Sequence, residues 1–354
     1  MAHVEPRGLL LYLEEVAGSR SCAGLEDRAH QSRLRSRRTV YRWRQQLGRS
    51  LCVFPSFSLS PLGLLHLHVI VHRPAALWLR FPYAVEHAWL TADFLENALY
   101  LHCLVPAIHE QEFRALIALL QQRGSCRNAT IIVSDGAHQE LRLTRESTRA
   151  TAAPAFMCAS GAALLREHPL IVPVIAESWG GQESFAELWT RVVKRDEKRL
   201  RSYVPHGRIY ATNGKCHIKG AWDTLERAGL FEQYVVRYDG LLGSNVEVFL
   251  VLRKSRDWLP ELLEALRPVA RVIESYGDEH GGALVRAIGS RDLLDALLGC
   301  QAELVRHAAG VYVRNTHEQH AGRVRFCYDF LFNPRTGLWE FPREKVLEYL
   351  GVRE

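Results

Sequence analysis

The sequence predicts an α+β fold in which one unit, a small helix-turn-helix followed by a βαββαβ sandwich, occurs twice in tandem. Three observations lead to this prediction. Two stretches of the chain align at a spacing of about 180 residues, the same order of helix and strand patterns follows each stretch, and an arginine-rich helical pattern opens the first. The length of 354 residues leaves room for several domains.

The repeat is clearest where a helical pattern leads into a strand pattern. Thr39–Val71 aligns with His217–Leu252, and the apolar positions of the two helices fall at i, i+3 and i+7, the core stripe of an amphipathic helix. A Leu-Gly pair precedes the first strand of each sandwich. The aligned pairs are Val40 with Ile218, Trp43 with Ala221, Leu47 with Leu225, and Leu62-Gly63 with Leu242-Gly243.

The elements that follow keep one order in both copies, which is the ferredoxin-like topology. In the first copy we expect strands at Leu65–Val71, after Pro82, at Ala98–Leu104 and at Thr130–Val133, with helices near Pro74–Arg80 and at Glu110–Gln122. In the second copy we expect strands at Val246–Leu252, after Pro268, at Ala283–Ile288 and at Val311–Val313, with helices at Asp257–Leu266 and Arg291–Val305.

Such a unit leaves one face of its sheet uncovered, and a large exposed apolar face is a liability for a monomer. We therefore expect the two sheets to face each other as an intramolecular pseudo-dimer. The expected domains are a helix-turn-helix at 1–50, a sandwich at 51–145, a linker at 146–165, a second helix-turn-helix at 166–232, a second sandwich at 233–316, and a C-terminal hairpin and helix at 317–354 that pack on the second sheet.

Positive charge is concentrated in the first helix-turn-helix. No Asp or Glu occurs between Arg28 and Val85, while eight arginines crowd the first part of that span. A dense field of one sign suits a polyanion, and its coincidence with the helix-turn-helix pattern predicts double-stranded DNA as a partner. The eight are Arg28, Arg33, Arg35, Arg37, Arg38, Arg42, Arg44 and Arg49.

One helix of each copy is expected to enter the major groove. With Val40, Trp43 and Leu47 turned inward, the opposite side of the first helix is left for phosphates and base edges. The second helix mixes acids with its cations and is expected to bind DNA more weakly. The candidate DNA-binding residues are Ser36, Arg37, Arg38, Thr39, Tyr41, Arg42 and Arg44 in the first helix, and Lys215, His217 and Lys219 in the second.

Three segments of the first copy carry a resemblance to a known family: Ser36–Trp43 with Leu47, Leu62-Gly63, and Phe81–Val85. In them the chain resembles the Lrp/AsnC transcription regulators, in a fused, diverged, archaeal-like form. The resemblance implies sequence-specific DNA binding and a small-molecule effector such as an amino acid, held between the sheets or at the turn between the second and third strands. The family's Gly-Asp turn is Ala92-Asp93 in the first copy. The candidate effector-binding residues are Asp93, Asn97, Gly277 and Asp278.

Two other functions stay open. Sirohaem decarboxylases have the same two-part fold, also occur as fused pairs, and act on a tetrapyrrole held between the sheets; the many histidines of this chain favour that alternative. Against it, the segment Gln233–Tyr238 lacks the Arg-Phe-Gly sequence expected of those enzymes. The third alternative is a nucleoid-architectural protein, which would bind DNA with little preference among sequences.

The sequence indicates no further chemistry. His66, His68 and His72 alternate along one strand and so share one face, where we expect buried or interface histidines rather than a metal site. No phosphate loop, nucleophile elbow or paired-carboxylate signature occurs, so neither an enzyme activity nor a cofactor is predicted. No apolar run approaches the ~20 residues that a membrane-spanning helix needs, and we expect a cytoplasmic protein.

Overall fold

The computed structural model describes residues 51–92, 96–134, 138–141, 149–151, 161–178, 185–195, 200–204, 214–238, 245–253, 258–277, 282–316, 321–323 and 326–352. The first predicted helix-turn-helix, residues 1–50, lies outside them. Within these ranges the predicted α+β class is confirmed: one large antiparallel sheet carries helices on its outer faces.

The first sandwich, called the first half below, follows strand β1 (Leu51–Phe57). Its four strands lie in the spatial order β5-β2-β4-β3, the ferredoxin-like arrangement. One face of this sheet packs against helix α1, whose buried stripe consists of Phe113, Leu116, Ile117 and Leu120. The elements are β2 (Leu64–His72), β3 (Ala84–Ala92), β4 (Glu96–Pro106), α1 (Glu110–Gln122) and β5 (Asn128–Ser134).

The described residues between the sandwiches include two short strands and four helices. The connecting elements are β6 (His138–Leu141), β7 (Arg149–Thr151), α2 (Gly161–Glu167), α3 (Ile171–Ser178), α4 (Phe185–Arg195) and α5 (Gly214–Arg227), and strand β8 (Phe231–Tyr238) follows them. Helix α2 begins inside the stretch expected to be a linker. Helices α3, α4 and α5 pack on one another, in the region where the second helix-turn-helix was predicted.

The second sandwich, called the second half below, repeats the first. Its strands lie in the order β12-β9-β11-β10, again the ferredoxin-like order. The elements are β9 (Val246–Leu252), α6 (Leu259–Leu266), β10 (Ala270–Gly277), β11 (Ala283–Gly289), α7 (Asp292–Gly299), α8 (Gln301–His307) and β12 (Ala308–Asn315).

Two helices differ from the sequence prediction. The helix expected near Pro74–Arg80 is a single 3-10 segment, Ala76–Arg80, in which the indole N–H of Trp78 donates to the carbonyl of Ser125. The helix expected over Arg291–Val305 is divided into α7 and α8 at Gly299 and Cys300, because glycine is a poor helix former and favours a break there.

The two sheets join at their edges and form one sheet of eleven strands. Strand β3 of the first half pairs with β12 of the second at Thr91 and Ala92. A short strand that follows each half pairs with the other half: β6 pairs with β10, and β13 (Ala321–Arg323) pairs with β3. The halves are therefore connected by backbone hydrogen bonds in both directions.

The three helices α3, α4 and α5 lie between two strands in the chain, β1 before them and β8 after them, and α5 packs against both. Strands β1 and β8 pair antiparallel along their length, and Trp222 of α5 packs its ring against Phe57 of β1 and Phe231 of β8. The ring centroids lie 5.7 and 5.5 Å apart. This aromatic contact packs α5 against both β1 and β8.

The C-terminal segment corrects the sequence prediction. It contains α9 (Tyr328–Leu331), a hairpin of β14 (Phe332–Asn333) and β15 (Leu338–Trp339), and α10 (Arg343–Tyr349). It packs on the first half, not the second: Trp339 donates to the carbonyl of Leu62 at 2.8 Å, and Phe341 stacks on Tyr83. The prediction was wrong because apolar content shows that a segment is buried but not which neighbour covers it.

Among the described helices, none combines the length and the apolar character that crossing a membrane would require.

Candidate functional site

The uncovered faces of the two sheets meet and form a common interior. Apolar residues from both halves form one cluster there, with Tyr100, Leu90 and Ile70 of the first half against Phe249 and Leu284 of the second. The alternation of the strands divides the side chains between this interior and the helical layers. On β2, for example, Leu67, Val69 and Val71 belong to the separate core on the other side of the sheet.

The interior also holds a network of buried charges. Arg286 of β11 lies 3.0 Å from the carboxylate of Glu86 and 3.2 Å from that of Glu274, and it also pairs with Glu247. Arg314 of β12 pairs with the second oxygen of Glu247. All five side chains are 6% exposed or less.

Three carboxylates face two guanidinium groups in this part of the described structure. Burial alone would lower the pKa of Arg286, but the carboxylates of Glu247, Glu86 and Glu274 raise it well above its usual value. Arg286 is therefore a fixed cation that joins the halves, because Glu86 belongs to the first half. A placement of the sheets that separates these partners would leave buried charges unpaired, which is strongly destabilising.

The predicted histidine face lies beside this network. His68 is fully buried, and its Nδ1 lies 2.9 Å from the phenol oxygen of Tyr100. His66 Nδ1 lies 2.9 Å from Nε2 of His102 on the neighbouring strand. Across the interface the ring of His68 lies 4.1 Å from that of Tyr276. Within the described residues His68 Nε2 has no hydrogen-bond partner, and no group of three potential metal ligands has a geometry that could hold an ion.

Burial keeps His66 and His68 neutral. It lowers the pKa of His66 to about 4. Burial also lowers the pKa of His68 to about 3, with smaller contributions from His66 and Arg286 that exceed the opposing effect of Glu86. The imidazoles therefore act as hydrogen-bonding groups rather than cations at neutral pH.

A dependence of stability on pH follows from these two groups. Unfolded histidine titrates near 6.5, so below that pH the unfolded chain takes up protons that folded His66 and His68 refuse. We expect the free energy of unfolding to fall as the pH drops from about 6.5 to about 4, by up to about 1.4 kcal/mol per pH unit for each histidine. Urea titrations at half-unit intervals measure the slope. In His68→Gln the slope should be shallower, whereas in a control at an exposed histidine, His168→Gln, it should match the parent; equal slopes in all three proteins would contradict the assignment.

The candidate DNA-binding residues fall into two groups. Those of the first helix, Ser36 to Arg44, lie outside the described residues. In the second group Lys219 is exposed on α5, and His217 is half-buried with its ring 5.8 Å from that of Trp189. Lys215 lies in the first turn of α5, but its side chain lies outside the described part.

The candidate effector-binding residues are described only in part. Asn97 is exposed at the start of β4, where its carbonyl accepts a hydrogen bond from the amide of Arg73. Gly277 is exposed at the end of β10. Asp93 and Asp278 lie outside the described residues. Asn97 and Gly277 thus each lie at one end of a turn between neighbouring strands.

The buried charge network was missed by the sequence analysis. One signal was available: Glu247 and Arg286 interrupt strands that are otherwise apolar. A charge on a strand buried on both faces needs a buried partner, but Glu86 lies 200 positions from Arg286. No local pattern connects the two residues.

Comparison with known proteins gives few matches. No protein-family model matches the chain, and no curated protein does. Among solved structures, the siroheme decarboxylase NirDL is similar at 12% identity, with a TM-score of 0.49 and 97% of both chains covered. NirDL in co-complex with an iron-uroporphyrin III analogue is similar at 12% identity, with a TM-score of 0.46 over 88% of this chain and 90% of that one. By its own architecture this chain is a tandem α+β protein with two facing ferredoxin-like sheets.

Proposed function

We propose that the chain is a sequence-specific DNA-binding transcription regulator, and not an enzyme. The observation that carries the proposal is the form of α5, the helix that the repeat aligns with the arginine-rich helix of the first copy. Its apolar stripe is buried, while Lys219 and Arg227 are exposed. Exposed cations on a helix that is held by its opposite side can contact a phosphate backbone.

The interior charges also support a regulator over a decarboxylase. A decarboxylase must accommodate a substrate carboxylate. The described interior already holds three carboxylates against two guanidinium groups, and both cations are engaged. A further buried anion would be costly there, whereas a structural role for the network needs no ligand.

A tetrapyrrole enzyme of the sirohaem decarboxylase type is the second candidate, and the histidine face favours it. His66, His68 and His102 lie together between the sheets, and an unpaired, fully buried Nε2 on His68 could bond a bound molecule. Imidazole is suited to proton transfer. In this reading the site would lie on the first half, next to Tyr276 of the second.

Footprinting of genomic DNA fragments by the purified full chain separates the candidates. We expect colourless protein and a limited number of protected sites, without palindromic symmetry because the two recognition helices differ. Uniform protection would support an architectural protein. Absence of protection, together with a Soret band after sirohaem is added and formation of a decarboxylated product, would overturn the proposal in favour of the enzyme.

A further inference from the structure

A second polar cluster surrounds His72 at the end of β2, away from His66 and His68 and from α5. One carboxylate oxygen of Glu96 lies 2.6 Å from Nε of Arg73 and 2.7 Å from Nη1 of Arg127. The other oxygen lies 3.4 Å from Nδ1 of His72. Nε2 of His72 in turn lies 3.1 Å from the phenol oxygen of Tyr312, which belongs to the second half.

The backbone is constrained at this point. Arg73 has a φ of 49°, the one non-glycine residue with a positive φ in the described structure. A left-handed conformation costs an L-residue roughly 1–2 kcal/mol, and Pro74 follows directly. The amides of Arg73 and Arg127 are held by the carbonyls of Asn97 and His72. Both guanidinium groups are thereby directed onto the same oxygen.

The geometry points to an oxyanion-binding site formed by Arg73 and Arg127, in which Glu96 occupies the place of a small phosphate or phosphomonoester. Two guanidinium groups that converge on one oxygen match a tetrahedral dianion, which offers several oxygens and two charges. Glu96 neutralises only one of the two cations and leaves the cluster with a charge of +1 when His72 is neutral.

An anion from solvent can reach both arginines. The side chains of Arg73 and Arg127 are 66% and 63% exposed, while that of Glu96 is 21% exposed. Exposed ion pairs contribute little to stability. The hydrogen bond from Arg127, reinforced by the charges of both arginines and by His72, lowers the pKa of Glu96; Glu96 is therefore an anion that competes with the ligand at neutral pH.

Ligand binding at this cluster would reach the junction of the halves. Glu96 orients His72, and His72 bonds Tyr312 beside the two residue pairs that join β12 to β3. When phosphate binds to Arg73 and Arg127, the carboxylate of Glu96 is displaced and its contact with His72 is lost. We therefore expect faster amide exchange at Tyr312 and Val313 in the phosphate-bound protein.

Calorimetric titration of the full chain with inorganic phosphate, in the absence of DNA, tests the site. We expect millimolar binding in the parent protein and about fivefold tighter binding in Glu96→Gln, which keeps the shape but removes the competing charge. Arg73→Gly should abolish phosphate binding. Because glycine readily adopts the left-handed conformation at position 73, this loss would not reflect misfolding. The matched control is Arg306→Ala, an exposed arginine paired with one glutamate at 2.9 Å.

The variants and ligands distinguish a phosphate site at Arg73 and Arg127 from non-specific binding of anions. Tighter binding in Glu96→Gln, loss in Arg73→Gly and no change in Arg306→Ala would support the site. Acetate that binds as well as phosphate would assign it to carboxylates instead. Equal loss in Arg306→Ala, no heat in any protein, or short duplex DNA that binds in place of phosphate at this cluster would overturn the proposal. None of these measurements depends on whether the chain regulates transcription.

Discussion

Replacing Arg286 by methionine is expected to lower the free energy of unfolding by about 3–5 kcal/mol, because it leaves buried carboxylates without their common cation. Glu86, Glu247 and Glu274 all pair with this side chain, which is 1% exposed. Urea denaturation at pH 7 measures the loss. Methionine is similar in length and apolar, so the change removes the charge with little loss of volume.

Two further measurements make this prediction specific. Arg306→Met removes an exposed arginine from its pair with Glu303 and should cost about 0.5 kcal/mol or less. The deficit of Arg286→Met should also shrink between pH 7 and pH 5, since carboxyls buried without a cation have raised pKa values and take up protons in the folded state. A variant as stable as the parent at pH 7 would show that the network does not hold the halves together.

Replacing Arg37, Arg38 and Arg42 together by alanine is expected to weaken DNA binding by about 100-fold or more. It should also make the plot of log affinity against log salt shallower by up to about 2.7, which is about 0.9 for each lost phosphate contact. Both follow from the sequence prediction that these arginines face the major groove. Mobility-shift titrations between 50 and 200 mM salt, on a site found by footprinting, provide the measurement.

The control removes the same charge elsewhere. Arg306, Arg335 and Arg343 are exposed on the second half and the C-terminal segment, and their joint replacement by alanine should leave the salt dependence nearly unchanged. Lys219→Ala on α5 should fall between the two, because the second helix carries fewer cations. If the control variant loses as much affinity as the first triple variant, binding reflects net charge and not a recognition helix.

The sandwiches were predictable because their signals are local. The apolar period of α1 gave its bounds, Glu110–Gln122, as observed, and the alternation of β2 placed three histidines on one face. The sequence prediction was wrong where a contact with a residue distant in the chain determines the local structure. The 3-10 segment at Ala76–Arg80 has Trp78 anchored to the carbonyl of Ser125, a contact that periodicity cannot reveal.

The candidate sites were less predictable than the fold. The charge network, the cluster at Glu96 and the exchanged strands all join residues far apart in the chain. Strands β6 and β13 have only four and three residues, and their sequences show little alternation. Their pairing depends on partners supplied by the other half. The sequence repeat indicated that two sheets exist. That repeat was an indirect signal that strands of one half could pair with strands of the other.

The exchanged strands have a consequence for assembly. In a sheet the outer strand exposes hydrogen-bonding groups that invite another molecule to add a strand. Here the outer edges of β3 and β10 are occupied by β13 and β6 of the same polypeptide. The strands left outermost at these two places, β13 and the β6-β7 pair, have only three or four residues each, and such short strands offer a second molecule few backbone groups to pair with.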